Sequence, residues 1–229
     1  VDPERSSREK TLSSYCATYL KEEIQAEALA RNIEGFSRFL HVAAACAGSF
    51  LDLSKLASEA GVARQSAVRF FEILEDTLIV RRAEAFAKSE RRRLVQHPRY
   101  FFFDTGVLNG VMGNFEPSPD RIGVLMEHLV FNQMVHTASS LDQDIRVSSF
   151  RTEHGAEVDF IVETRRDIWA VEVKASKSIG KHDLRGLKRF RDFHGKKCGA
   201  VVLYLGTVEK LIEGIEVLPW QIGLERMGL

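Results

Sequence analysis

The hydrophobic period of this chain changes part-way along it, and that change restricts the fold more than any other feature. Ile122 to about His136 is a strongly apolar stretch of helical length, with Pro119 ahead of it to start the helix. Three strand-like runs follow: Ile145-Arg146-Val147-Ser148-Ser149-Phe150, Glu157-Val158-Asp159-Phe160-Ile161-Val162, and Ile168-Trp169-Ala170-Val171-Glu172-Val173-Lys174. A helix from about Asp183 to Phe193, turned inward through Leu184, Leu187 and Phe190, leads into Ala200-Val201-Val202-Leu203-Tyr204. That last run reads as a fully buried strand, and Ile215-Glu216-Val217-Leu218 adds an edge. The order α-β-β-β-α-β predicts an α/β sandwich with helices packed on a central sheet.

Upstream the pattern is helical. Thr11 to Ala30 carries Leu12, Tyr15, Tyr19, Ile24 and Leu29 among charged residues, as a helix or helix pair. Phe36, Phe39, Leu40 and Ala43 fall at three-and-four spacing in a helix that ends at Gly48. Ser54 reads as the N-cap of a short helix stopped by Gly61. A further helix, from about Arg64 to Asp76, directs Val68, Phe71, Ile73 and Leu74 inward. Two helices around a turn at Gly61-Val62 make a helix-turn-helix pattern. Leu78-Ile79-Val80 and Tyr100-Phe101-Phe102-Phe103 are strand-like and enclose a basic segment, as a wing would. Gly113 to Asp120 is a linker by composition.

Bulk properties exclude little. At 229 residues the chain can bury a proper core as one large domain or two small ones. Lys+Arg and Asp+Glu are both 32, so overall charge is silent about nucleic acid. No run of about eighteen apolar residues occurs, and no membrane-spanning helix is expected. Cys16, Cys46 and Cys198 are scattered and form no CxxC pair, which fits small buried residues in a reducing cytoplasm. The sequence opens on Val1-Asp2-Pro3 without Met, so the chain is expected to be cut from a longer one or to carry a tag remnant.

The chemistry falls on the second and third strand runs. Strand alternation puts Val158, Phe160 and Val162 on one face and Glu157, Asp159 and Ile161 on the other. In the next run Ala170, Glu172 and Lys174 share a face. If the two strands pair, Asp159, Glu172 and Lys174 converge. Glu127 interrupts Val124-Leu125-Met126 and Leu129-Val130-Phe131, too deep in its helix to be placed there by the helix dipole. Carboxylates about 4 Å apart repel by about 4 kcal/mol per pair at an effective dielectric of 20. Such a group requires a cation, a raised pKa or a basic partner. Hard oxygen donors suit Mg²⁺ or Mn²⁺. Asp159, Glu172 and Glu127 are the candidate metal ligands, and Lys174 is placed to serve an attacking water. The competing reading of Glu172-Val173-Lys174 is an exposed, salt-bridged strand edge. Glu157 is either an extra ligand or a strand-edge residue. Arg151 and His154 flank the Asp159 strand within reach of a phosphate, while His128 and His136 are too far apart on their helix to pair as ligands.

Glu127, Glu157-Val158-Asp159-Phe160 and Glu172-Val173-Lys174 together resemble the PD-(D/E)XK superfamily of metal-dependent phosphodiesterases, with Val158 where the name of the motif has Pro. More narrowly, the chain from about Tyr19 to Leu229 resembles the C-terminal region of a family of prokaryotic AAA+-type ATPases. The matching stretches are Tyr19-Leu20, Phe36-Ser37-Arg38-Phe39-Leu40, Leu74-Glu75-Asp76-Thr77-Leu78, Tyr100-Phe101-Phe102-Phe103-Asp104-Thr105-Gly106, Phe150-Arg151-Thr152 and Leu218-Pro219-Trp220. The resemblance implies a helical linker from an N-terminal ATPase module over 1–33, a winged helix-turn-helix over 34–112, and a PD-(D/E)XK restriction-endonuclease-like α-β-β-β-α-β core over 113–229. It implies a hydrolase acting on DNA, or a catalytically inactive DNA-binding or assembly module, and an oligomer is compatible with either. ATP would belong to the N-terminal module, because no GxxxxGK[ST] loop occurs here.

Arg64, Arg69, Arg81, Arg82, Lys88, Arg91, Arg92, Arg93 and Arg99 crowd the helix-turn-helix and wing, and read either as a phosphate-contacting surface or as a solvated hairpin. If Arg91, Arg92 and Arg93 contact phosphates, replacing all three with Ala should weaken duplex binding at every sequence. The salt dependence, measured by fluorescence anisotropy, should flatten by about 0.9 log unit per lost contact. Unchanged affinity and slope would leave the solvated hairpin.

Overall fold

The computed structural model describes residues 3–19, 22, 32–86, 97–195 and 198–229. The chain is mixed α/β and divides into two compact units: Val1–Arg81 with Tyr100–Ser118, and Arg82–Arg99 with Pro119–Leu229. Among the described residues no helix is long and apolar enough to cross a membrane.

The first unit is a helical cluster. Helix α1 (Pro3–Ser14) continues into a π-helical turn at Tyr15–Tyr19, and α2 (Ile33–Ala45), α3 (Leu53–Ala60) and α4 (Arg64–Asp76) follow. Asn32 caps α2 by accepting the Gly35 N–H. The cap of α3 is Asp52 rather than Ser54: its carboxylate accepts the N–H groups of Ser54 and Lys55, so Ser54 lies inside the first turn. On α4 the expected inward residues Phe71, Ile73 and Leu74 are buried but Val68 only half so, and Phe70 is buried instead, packing edge-on against Phe36 with ring centres 5.3 Å apart. Phe71 meets Tyr100 at 5.2 Å, and the Tyr100 hydroxyl donates to the Ala43 carbonyl at 2.8 Å. Strands β1 (Val80–Ala85) and β2 (Arg99–Phe102) are neighbours, and the Phe103 N–H donates to the Ile79 carbonyl. Helix α5 (Thr105–Met112), capped by Asp104 and closed by Gly113 at φ 62°, is an element the sequence reading left out.

In the second unit α6 (Ile122–Ser140) precedes β3 (Arg146–Arg151), β4 (Glu157–Glu163) and β5 (Ile168–Lys174), which pair antiparallel in that order. A 3₁₀ turn and α7 (Arg185–His194) lead to β6 (Gly199–Tyr204), parallel to β5. Next come β7 (Lys210–Ile212), β8 (Ile215–Pro219) and α8 (Trp220–Met227), with β8 parallel to β6 and β7 antiparallel on its outer side. The C-terminal half of β1 runs parallel to β3 through Glu84 and Ala85. Beneath α7, the buried Leu184, Leu187 and Phe190 pack with Val158, Ile161, Ala170 and Val202. On α6, Phe131 meets Phe160 with ring centres 5.8 Å apart.

The faces of β4 do not follow simple alternation. Ser148 pairs with Ile161 and Phe150 with Val158, so β4 carries one more residue than β3 across this interval, a β-bulge. Val158 and Ile161 consequently both join the cluster under α7, and Asp159 and Phe160 are the two residues opposite Ser149. The expected alternation put Phe160 with Val158, away from Asp159 and Ile161. The bulge breaks that pattern and sends Phe160 toward α6.

Gly186 sets the approach of α7 to the bulged strand. A Cβ there would collide with the Glu157 carbonyl oxygen. Gly186→Ala should therefore destabilise the fold by about 1–3 kcal/mol through overpacking, read as a lower urea midpoint at unchanged slope. No loss of stability would mean that α7 can retreat without disturbing β4.

Candidate functional site

The β4–β5 ladder runs from Glu163↔Ile168 to Phe160↔Val171. Beyond that, the Val173 N–H donates to Asp159 Oδ2 at 2.8 Å, so a side-chain carboxylate takes the backbone donor next along the ladder. Asp159 is thereby fixed at the point where the two strands part. Its other oxygen, Oδ1, lies 3.7 Å from Arg99 Nη1. Arg99 Nη2 donates to Glu127 Oε2 on α6, and the guanidinium stands 5.8 Å from the centre of the Phe160 ring. Arg99 is 5% exposed and is clamped between the two acids.

Glu172 and Lys174 form the other half of the site. Lys174 Nζ donates to Glu172 Oε1 at 2.6 Å, while Glu172 Oε2 is buried with no hydrogen-bond partner. Ala170 packs under α7, and residues two apart on a strand share a face, which puts Glu172 on the α7 side. Asp159 lies between the two halves. Its charge is the foremost electrostatic influence, after burial, raising the pKa of both Glu127 and Glu172. Burial and that charge lift Glu127 to about 7 and Glu172 to about 8. Burial also raises Glu157, which is 3.9 Å from Arg151. For Lys174 burial works downward, but the carboxylates of Glu172 and Asp159 outweigh it and hold the ammonium charged.

Two cations thus face three carboxylates, while Glu157 at the rim has Arg151 beside it. The deficit of positive charge and the unpartnered Glu172 oxygen suit a hard cation in donor type and charge. Among the described residues, however, no three acidic, His or Cys side chains stand close enough to hold a metal ion. Arg99 engages Glu127 and Asp159, and Lys174 engages Glu172.

Sequence reading placed Arg99 with the basic surface. The structure buries it among acids, where its neighbours Tyr100, Phe101 and Phe102 are also buried. A basic residue opening a run of aromatics at a strand start was the available signal. Of the other basic candidates, Arg64, Arg69 and Arg82 are exposed and Arg81 is part-buried. Arg64 Nε donates to Ser54 Oγ at 3.1 Å. Arg64 and Arg69 are five residues apart on α4, about 140° around the helix, and do not share one face. Lys88, Arg91, Arg92 and Arg93 lie outside the described residues. Arg151 and His154 are exposed at the end of β3 and in the turn before β4. His128 is fully buried, shares Nδ1 with the Val124 carbonyl at 2.9 Å, and is held neutral by burial, with a pKa of about 4. A cavity of about 370 Å³ lies at the far end of the β4–β5 hairpin, lined by Asp142, Asp144, Thr164, Arg165, Arg166 and Asp167, and includes none of the acids of the site.

Residues 2–118, just over half of the chain, match the family model described as Domain of unknown function (DUF8612). The chain belongs to this family. Residues 122–222 match a second model, Domain of unknown function (DUF4143), which takes in Glu127, Asp159, Glu172 and Lys174. Arg99 falls within the first match, although it sits in the second compact unit. No curated protein matches the chain.

Carboxyls whose pKa is raised by folding bind protons more tightly in the native state than in the unfolded chain. Their contribution to stability is full below the ordinary carboxyl range near 4.5, and is lost as pH rises through about 7 for Glu127 and about 8 for Glu172. The melting temperature should therefore fall between pH 5 and pH 9, and Glu172→Gln should flatten that slope. A wild-type slope that Glu172→Gln leaves untouched would show that Glu172 is ionised throughout.

Proposed function

We propose that the second unit is a PD-(D/E)XK-type module that hydrolyses DNA phosphodiesters with a divalent cation, and that the helix-turn-helix of the first unit contributes DNA binding. The observation that carries this reading is Glu172 Oε2, a buried carboxylate oxygen without a hydrogen-bond partner, beside Asp159 in a cluster short of positive charge. The element order from α6 to β6 and the placement of Lys174 against Glu172 support it. To hold Mg²⁺ or Mn²⁺, Asp159, Glu172 and Glu127 would have to draw closer together than they stand here, and the bound cation would supply Lewis-acid polarisation of a phosphoryl oxygen. Lys174, kept protonated by its neighbours, would orient the attacking water and stabilise charge developing on phosphate. Arg151 and His154, exposed beside β4, are positioned for the phosphate backbone.

In this reading the segment 1–33 links to an ATPase module, 34–112 is a winged helix and 113–229 is the nuclease-like domain of a cytoplasmic prokaryotic AAA+-type ATPase. The DUF4143 match supports that parentage, being common in ATPase-associated proteins. ATP would act only in that N-terminal module. One observation favours a second reading, a catalytically inactive DNA-binding or assembly module: Arg99 already compensates two of the three acids.

Native-state metal binding separates the two readings without a chosen substrate. A cation at one hundred times its dissociation constant stabilises the native state by about 2.7 kcal/mol, several degrees in melting temperature for a domain of this size. Mn²⁺ should act at lower concentration than Mg²⁺. Glu172→Gln should remove the shift and leave the metal-free protein at least as stable, whereas Glu163→Gln, beside Arg146 at the hairpin end, should keep it. Mn²⁺-dependent nicking of plasmid, lost in Lys174→Ala, would complete the case. A melting temperature indifferent to both metals would leave the inactive module.

A further inference from the structure

We infer that Arg99 is a built-in counter-cation, which a divalent metal must displace from Glu127 and Asp159 before those acids can bind it. The inference rests on the metal-site reading above and adds a residue that lies outside its motif. The geometry is that of a competitor. One guanidinium is shared between Glu127 Oε2 and Asp159 Oδ1, with Phe160 at its face and Glu157 adding to the negative field. Glu127 and Asp159 are two of the three acids that would coordinate the cation, and a metal bound to them would meet the guanidinium as a like charge.

Arg99 also differs in kind from the other means by which this cluster balances itself. Lys174 sits on Glu172 alone, whereas Arg99 spans two acids. A guanidinium does not deprotonate in a protein, so its own charge persists at every working pH. The side chain is almost wholly buried. Metal affinity in the resting chain is therefore set by the difference between two cations for the same oxygens. Asp159 remains anchored by the Val173 N–H whichever cation it faces, so displacement of Arg99 need not dismantle the bulge.

The test is Mn²⁺ binding to the full chain by titration calorimetry, for wild type, Arg99→Gln and Arg99→Lys. Removing the guanidinium should tighten Mn²⁺ binding on the order of tenfold or more, and Lys, a single point charge in place of a fork, should fall between. A merely structural role for Arg99 predicts the opposite, because a loosened site binds metal less well. Arg99→Gln leaves two buried carboxylates uncompensated and could fail to fold without metal. In that event its far-ultraviolet circular dichroism should recover on adding Mn²⁺ and collapse again with EDTA. Binding equal to or weaker than wild type in a folded Arg99→Gln, or no recovery of an unfolded one, would overturn the competitor while leaving the metal site standing. Absence of Mn²⁺ binding in wild type and both variants would remove the metal-site reading itself, and this inference with it.

Discussion

The carboxylate of Asp159 occupies a position that a peptide carbonyl would hold in an uninterrupted ladder. By accepting the Val173 N–H it lets β4 and β5 separate after Phe160 and Val171 without leaving that donor buried and unsatisfied. The bulge supplies the extra residue that makes this possible. It also rotates Phe160 onto Phe131 of α6, so the same irregularity that frees an acid seats the helix carrying another. Glu127 and Phe131 are one turn apart on α6, and packing of the second aims the first. The ladder on either side of the irregularity is regular, and the placing of Asp159 follows from this one departure.

Charge accounting then explains why these groups are so unlike ordinary surface acids. Burial disfavours ionised carboxylates, and each additional one nearby compounds the effect. The cluster answers with Arg99 on one flank and Lys174 on the other, and with raised proton affinity at Glu127 and Glu172. A structural ion-pair network would be expected to satisfy its members fully, since a half-satisfied buried network is worse than an apolar one. Glu172 Oε2 is not satisfied. That orphaned oxygen is the feature an ion-pair network alone leaves unexplained.

Much of the second unit was legible because its periodicities are strong. Leu184, Leu187 and Phe190 read as the inner face of a helix and are buried, and the runs at 157, 168 and 200 are strands at those places. The face of Phe160 was not legible, because a bulge is specified by the fit between two strands and leaves no mark on the period of one. Asp52 was overlooked as a cap for a different reason: Ser54 is an equally good capping type, and only the backbone at Asp52 (φ −125°) decides between them. Helix α5 was within reach, since Asp104 and Gly113 bracket it with standard start and stop residues. Arg99 was concealed by its membership of a basic run, although the aromatic strand that it opens, Tyr100-Phe101-Phe102, marks it for burial.

Arg99 also bears on where the functional unit begins. The acids lie in the stretch matched by DUF4143, which starts at residue 122, yet the cation that balances two of them comes from the stretch matched by DUF8612. Removing one partner of a buried ion pair typically destabilises by about 3–5 kcal/mol, a large part of the stability of an ordinary domain. A fragment beginning at residue 122 would bury Glu127 and Asp159 without their guanidinium, and would have to protonate them, bind a metal, or open the site to water. The division into compact units agrees, since Arg82–Arg99 belong to the second unit despite their place in the sequence. Charge balance, more than the boundary of a family match, therefore sets the smallest piece of this chain in which the site can exist as described.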